Sequence, residues 1–107
     1  MTSFAVAHLR NVTMNPDIVA YLAAIDATLA PFQGRFVIHG SSKDILEGSW
    51  PGDLVIIAFP DRQTAHAWYT SPAYQAILPL RTRNSDADII LVDCVEDNHL
   101  AIDILKL

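Results

Sequence analysis

Two apolar segments lack the alternation of a half-exposed β-strand, and they constrain the fold more than any other feature. Residues 54–59 (LVIIAF) and 89–92 (IILV) carry no polar side chain at every second position. A strand with one face in water alternates apolar and polar residues, whereas a strand covered on both faces does not need to. The two segments therefore predict a sheet that is buried on both faces.

The remaining local signals place these strands in a βαββαβ order. Asn15, Pro16 and Asp17 supply a cap, a first-turn proline and an acid at a helix start, and apolar residues then recur at helical spacing to Leu29. A break at Gly40 interrupts the second strand, which we predict to be bent or bulged. The predicted strands cover residues 4–9, 35–39 continuing at 44–47, 53–59 and 88–94, and the later helical segments cover residues 61–70 and 72 to about 80.

Two helices can cover only one face of a four-stranded sheet, so the other face needs a separate cover. A second copy of the chain is the simplest one, and we predict a homodimer whose sheets pack face to face. The rival cover is the apolar tail, within residues 96–107, which could dock on its own sheet or pass to the partner subunit. Its apolar side chains are Leu100, Ile102, Ile104 and Leu105.

Charge and composition narrow the range of partners. Twelve acidic residues against seven Lys and Arg give a net charge of −5, which provides no basic surface for nucleic acid. Residues 54–59 form an apolar run that is too short to span a membrane, and the N-terminus lacks the features of a signal peptide, so we expect a cytoplasmic protein without a membrane partner. The lone Cys94 rules out an internal disulfide and a cysteine-paired zinc site.

Five short motifs resemble the family known as domain of unknown function 1330. They are LAPFQGRF at residues 29–36, LEGSW at 46–50, FPDR at 59–62, AWY at 67–69 and SPAYQ at 71–75. The resemblance runs from about Phe4 to Val95, so we predict one domain over residues 1–95 and a tail over 96–107. Two features depart from the family: His39 stands where many relatives carry arginine, and the tail is longer and more apolar.

The resemblance implies an α+β, ferredoxin-like domain of the dimeric α/β-barrel superfamily, with a four-stranded antiparallel sheet and helices on one face. That superfamily includes cofactor-independent monooxygenases, haem-degrading enzymes, lactone isomerases and proteins without known activity. Membership therefore predicts the fold and leaves the chemistry open. We predict no cofactor and no metal, because no two histidines have a metal-binding spacing.

Two aromatic residues are candidates for ligand contact. Trp68 and Tyr69 are adjacent on a helix and point about 100° apart, so we predict that Trp68 alone faces inward. There it either lines a pocket or fills space between helix and sheet. Tyr74 could donate its hydroxyl proton to a ligand or to a neighbouring carbonyl.

Three charged or titratable residues are candidates for catalysis. Arg81 could pair with a surface carboxylate or reach inward to hold a ligand carboxylate or enolate oxygen, and its place in the resemblance favours the inward position. Strict alternation puts His39 on the same strand face as Val37, opposite Phe36, where it could act as a base, a haem ligand or a satisfied polar residue. Glu47 could transfer protons from a strand end or remain an exposed edge charge.

Three functions remain open on this evidence. The leading hypothesis is a dimeric protein that binds a small anionic or aromatic metabolite between sheet and helices. The first alternative is a cofactor-independent monooxygenase or isomerase, in which His39 or Glu47 takes a proton and Arg81 stabilises the oxyanion. The second alternative is a structural or interaction protein without a ligand.

Overall fold

The computed structural model describes residues 1–106 and contains the predicted βαββαβ order. Residue 107, the last of the predicted tail, lies outside the described residues. The second helical region is divided in two, as expected from the proline at position 72, and short 3-10 helices occupy Ala30–Phe32 and Ala101–Lys106. The main elements are β1 (Ser3–Arg10), α1 (Pro16–Leu29), β2 (Arg35–His39), β3 (Asp53–Phe59), α2 (Arg62–Tyr69), α3 (Pro72–Thr82) and β4 (Asp86–Asp93).

The four strands form one antiparallel sheet in the order β2-β3-β1-β4. Ala5 in β1 lies opposite Ile57 of β3 and Leu91 of β4, which fixes the register across the three strands. Each βα unit returns its next strand to the same sheet, and the helices lie on one face. This is the ferredoxin-like α+β fold, as predicted.

Side-chain caps begin each long helix where the sequence predicted it. The Asn15 side chain accepts a hydrogen bond from the amide of Ile18 at 3.1 Å, and Ser71 accepts one from the amide of Tyr74 at 3.3 Å. The Asp61 carboxylate accepts one from the amide of Thr64 at 2.7 Å, and the hydrogen bonds from Thr64 lower the pKa of Asp61. These caps satisfy amides in the first turn of each helix and fix where the helix begins.

The core lies between the helices and the inner face of the sheet. Ala5, Ile57 and Phe59 project from the strands against Ile25 and Leu29 of α1, and all five are buried. Ala65 and Trp68 of α2 close one end of this layer. Burial of a large apolar side chain contributes about 1.5–3 kcal/mol, so this layer supplies much of the stability of the fold.

The outer face of the sheet is apolar and open in the single chain. Val6 lies opposite Ile56 and Ile90. Each is adjacent in sequence to a residue of the inner face and therefore points to the outer face, where Ile90 is 55% exposed. The described part of the tail does not cover this face, because its four large apolar side chains are between 62% and 75% exposed. Hydrocarbon therefore lines both faces of the sheet, and the helices bury only one.

The prediction that the second strand resumes at residues 44–47 is wrong. β2 ends at His39, which lies opposite Val55, and residues 40–52 form a loop. Continuing that antiparallel register would place residue 44 against residue 50, inside the turn that leads into β3, so no partner strand is available. The predicted irregularity is present, but it lies earlier, between Phe36 and Ile38.

None of the helices within residues 1–106 combines the length and the hydropathy needed to cross a membrane.

Candidate functional site

A cavity of about 100 Å³ lies between the inner face of the sheet and the helices. Its walls are mostly hydrocarbon, with Ala7, Val55 and Ile57 from the strands facing Tyr21 and Ile25 of α1. Three further lining residues are exposed to solvent, Val12, Leu22 and His39, and they lie where the cavity meets solvent. Apolar walls with a few converging polar groups are typical of small-molecule sites.

Trp68 forms a wall of the cavity and faces inward, as predicted, but Tyr69 also lines the cavity, so Trp68 is not alone there. It is 3% exposed, and its ring centroid lies 4.1 Å from that of Tyr74 and 5.4 Å from that of Phe59. Its indole N–H donates to the hydroxyl of Thr28 at 3.0 Å. Because the protein satisfies this donor, Trp68 presents its ring to the cavity and keeps its polar atom away from it.

Tyr74 and Tyr21 form a buried hydroxyl pair at the cavity wall. Their oxygens lie 2.8 Å apart, so the partner of Tyr74 is a second phenol and not a backbone carbonyl. Burial raises the pKa of Tyr21 well above its ordinary value, the adjacent Tyr74 raises it further, and Arg81 opposes both effects. Tyr21 therefore stays protonated and neutral at physiological pH.

Arg81 lies in the last turn of α3 and lines the cavity with only 7% of its surface exposed. Its guanidinium carbon lies 6.0 Å from the ring centroid of Tyr21. Within residues 1–106 it forms no salt bridge, and Asp88, a carboxylate that the sequence offered as a partner, pairs with Arg10 at 3.0 Å. Burial acts to lower the pKa of Arg81, but the two phenols outweigh it and the pKa is raised, so the group stays charged.

His39 lies at the opening of the cavity, and the predicted face for it is wrong. Phe36 lies opposite Ile57, and His39 lies opposite Val55, so four residues of β2 face three residues of β3. This bulge shifts the phase of the strand and puts His39 on the inner face with Phe36. The two rings stack with centroids 4.5 Å apart and an interplanar angle of 14°.

Glu47 lies away from the cavity, in the loop between β2 and β3. It is exposed and borders a separate open depression with Lys43 and Trp50. The structure thus brings together four of the five candidates, namely Trp68, Tyr74, Arg81 and His39, and leaves Glu47 outside. Their roles in binding or catalysis stay predictions.

Tyr21 and Ser85 line the cavity without having been candidates. The sequence placed Tyr21 on the apolar face of α1 together with Ile18 and Ile25, which gave no reason to single out its hydroxyl. Ser85 follows α3, and its hydroxyl donates to the carbonyl of Arg81 at 2.8 Å. These polar groups share one wall because α1 packs against α3, a contact that the sequence alone does not show.

Within residues 1–106, no three potential metal ligands among His, Cys, Asp and Glu converge.

The fold and the cavity define a ferredoxin-like α+β protein with a largely apolar internal site at the sheet–helix interface. The chain belongs to the family described as "Domain of unknown function (DUF1330)", whose model matches residues 2–95. No curated protein matches the sequence at a significant level.

Solved structures with low sequence identity share the fold. A protein of unknown function from Rhodopseudomonas palustris, RPA0582, has a TM-score of 0.67 at 16% identity, with 89% of this chain and 83% of that chain covered. A dimeric ferredoxin-like protein of unknown function from Jannaschia sp. CCS1 has a TM-score of 0.67 at 8% identity, covering 88% and 100%. SnoaB, a cofactor-independent oxygenase from Streptomyces nogalater, has a TM-score of 0.60 at 15% identity, covering 91% and 95%.

Proposed function

We propose that the protein is a cytoplasmic homodimer that binds a small, flat, mostly apolar metabolite in the cavity of each subunit. The observation that carries the proposal is the cavity itself, whose hydrocarbon walls meet one buried arginine that has no salt-bridge partner within residues 1–106. A structural protein without a ligand gains nothing from either feature, because an internal void loses packing and a buried charge loses hydration.

The outer face of the sheet supports the dimer. Val6, Ile56 and Ile90 form an apolar stripe across three strands, and the helices leave it uncovered. The outer face of a second copy is equally apolar, and a two-fold axis would pack these two identical faces against each other. Structures with this fold include proteins described as dimeric and ferredoxin-like. A monomeric protein in light scattering would contradict this assembly.

The tail forms part of the same proposal. Its four apolar residues remain exposed in the single chain, and it follows β4 at the edge of the sheet. We assign the surface of the partner subunit as its docking site, because the tail leaves its own sheet uncovered. The tail would then add apolar area to the interface between the sheets.

The second candidate function is a cofactor-independent oxygenase or isomerase. It is supported by the shared fold with SnoaB, whose description names that oxygenase activity, and by the position of His39 at the cavity opening. In this function His39 accepts a proton from the substrate and Arg81 stabilises the resulting oxyanion. Glu47 takes no part in it, because it lies outside the cavity.

Thermal-shift screening of aromatic acids and lactones tests the binding function. A ligand at 100 times its Kd stabilises the folded state by about 2.7 kcal/mol. Ala7→Leu places extra hydrocarbon in the cavity and is expected to abolish the shift, whereas Ala20→Leu on the exposed side of α1 is expected to keep it. An equal shift in both variants would place binding elsewhere. Consumption of oxygen or isomerisation of a hit would favour the second candidate function.

A further inference from the structure

Arg81 is a buried positive charge without a negative partner in the described chain. Its surface is 7% exposed, and no carboxylate of residues 1–106 lies within salt-bridge distance. A guanidinium has five donors in a planar fork, and burial without an opposite charge is costly. Neutral phenols satisfy some of these donors but leave the charge itself uncompensated. The site is therefore suited to a negatively charged group that residues 1–106 do not supply.

The two tyrosines add one further donor. Tyr21 and Tyr74 together carry two hydroxyl protons, and one of them lies in the 2.8 Å hydrogen bond between the oxygens. The other proton is free, whichever tyrosine carries it. Because both phenol rings line the same cavity as Arg81, this proton and the guanidinium can act on one ligand group.

The cavity provides no carboxylate that could remove a proton from a ligand. Among its lining residues, all within the described chain, there is no Asp or Glu, and the one imidazole belongs to His39 at the exposed opening. The polar end formed by Arg81, Tyr21 and Tyr74 therefore offers hydrogen-bond donors and no ionised acceptor. Such an environment favours a ligand that already carries its negative charge over one that must be ionised inside.

We infer that the polar end of the cavity is a carboxylate subsite, in which Arg81 holds the ligand carboxylate and the Tyr21–Tyr74 pair donates one further hydrogen bond. The inference rests on the proposed function and specifies its ligand class. A carboxylate matches the fork of Arg81 through two parallel hydrogen bonds and is ionised well below neutral pH. The apolar walls then hold an aromatic or aliphatic body attached to it.

Benzoate and benzamide form a matched pair of probes for this subsite. They share shape and ring, but only benzoate is charged at pH 7, so calorimetry is expected to show at least tenfold tighter binding of benzoate. Arg81→Gln is expected to remove this difference. Arg83→Gln, which alters an exposed arginine two residues later, is expected to retain it. The double variant Tyr21→Phe, Tyr74→Phe should weaken benzoate binding several-fold, because either tyrosine alone could still provide the free proton.

A measurement on the wild-type protein tests the subsite even if the variants fail to fold. In ¹⁵N-labelled wild-type protein, benzoate is expected to shift the side-chain N–H resonance of Arg81, and benzamide is expected to leave it nearly unchanged. Equal affinity for both probes would overturn the carboxylate subsite while leaving the cavity as a binding site. If neither probe binds, the inference fails, and the wider screen with Ala7→Leu decides whether the proposed function fails with it.

Discussion

The indole N–H of Trp68 donates to the hydroxyl of Thr28 at 3.0 Å, and that hydroxyl donates to the carbonyl of Ile25 at 2.7 Å. Both side chains are buried, so the relay links α2 to α1 inside the core. It also fixes the plane of the indole ring against Tyr74. The cavity wall is thus held by a polar contact that faces away from the cavity.

Thr28→Val removes this contact with little change in side-chain volume. The indole N–H then stays buried without an acceptor, which is expected to cost about 1–3 kcal/mol in the free energy of unfolding. Urea denaturation measures the loss. Thr70→Val is the matched control, because the Thr70 hydroxyl also bonds a backbone carbonyl, that of His66, but on the exposed surface. Equal losses of unfolding free energy in the two variants would show that the buried hydrogen bonds of Thr28 stabilise the protein no more than the exposed one of Thr70.

Local sequence signals were sufficient for most of the order of helices and strands because they act within a few residues, whereas the ferredoxin-like fold was implied by the family resemblance. The caps at Asn15, Asp61 and Ser71 each bond an amide three residues later, and the apolar strands needed no knowledge of their partners. The inward position of Trp68 followed from the helical repeat alone. These interactions are encoded in short segments, so the chain can be interpreted one element at a time.

The site was less predictable because it depends on contacts between elements. The bulge in β2 is a property of its pairing with β3, and it reverses the face of His39 without any change in local composition. Tyr21 has the spacing of a core residue, and only the approach of α3 places its hydroxyl beside Tyr74. Glu47 was predicted to end a strand at residues 44–47, but that segment has no partner strand and forms a loop. Glu47 is therefore not held near the cavity.

Tyr21 makes the stability of the protein sensitive to high pH. Burial raises its pKa above the ordinary phenol value of about 10, so the folded state holds the proton more tightly than the unfolded state. The stabilisation is complete below pH 10 and is lost as the pH rises above it, at up to about 1.4 kcal/mol per pH unit. Urea denaturation between pH 8 and pH 11 should show this loss in the wild-type protein.

The variant Tyr21→Phe separates this effect from other alkaline transitions. It removes the titrating group, so its stability should fall less steeply above pH 10 than that of the wild-type protein. Tyr69→Phe removes a half-buried phenol outside the Tyr21–Tyr74 hydrogen bond and should retain the wild-type slope. Parallel slopes in the wild-type protein and Tyr21→Phe would contradict the assignment.

Ile90→Glu should convert the proposed dimer to a monomer. Ile90 is 55% exposed in the single chain and lies opposite Val6 on the outer face of the sheet. A carboxylate there would be buried between two apolar sheets at a cost of several kcal/mol. Light scattering coupled to size-exclusion chromatography measures the mass. Val19→Glu, at a 57% exposed position of α1, should remain dimeric.

The tail is expected to contribute to the dimer and not to the stability of its own subunit. Ile102 and Ile104 are 63% and 62% exposed, so replacing both with asparagine removes little packing within the single chain. If they dock on the partner, each loses about 1.5–3 kcal/mol of burial, and the dimer dissociation constant should rise at least 100-fold. Sedimentation equilibrium measures this constant, with Val19→Asn as the control for loss of an exposed apolar residue. An unchanged dimer constant combined with a lower unfolding temperature would instead place the tail on its own subunit. That result would leave the sheet-to-sheet contact as the whole interface, because the outer face is apolar with or without the tail.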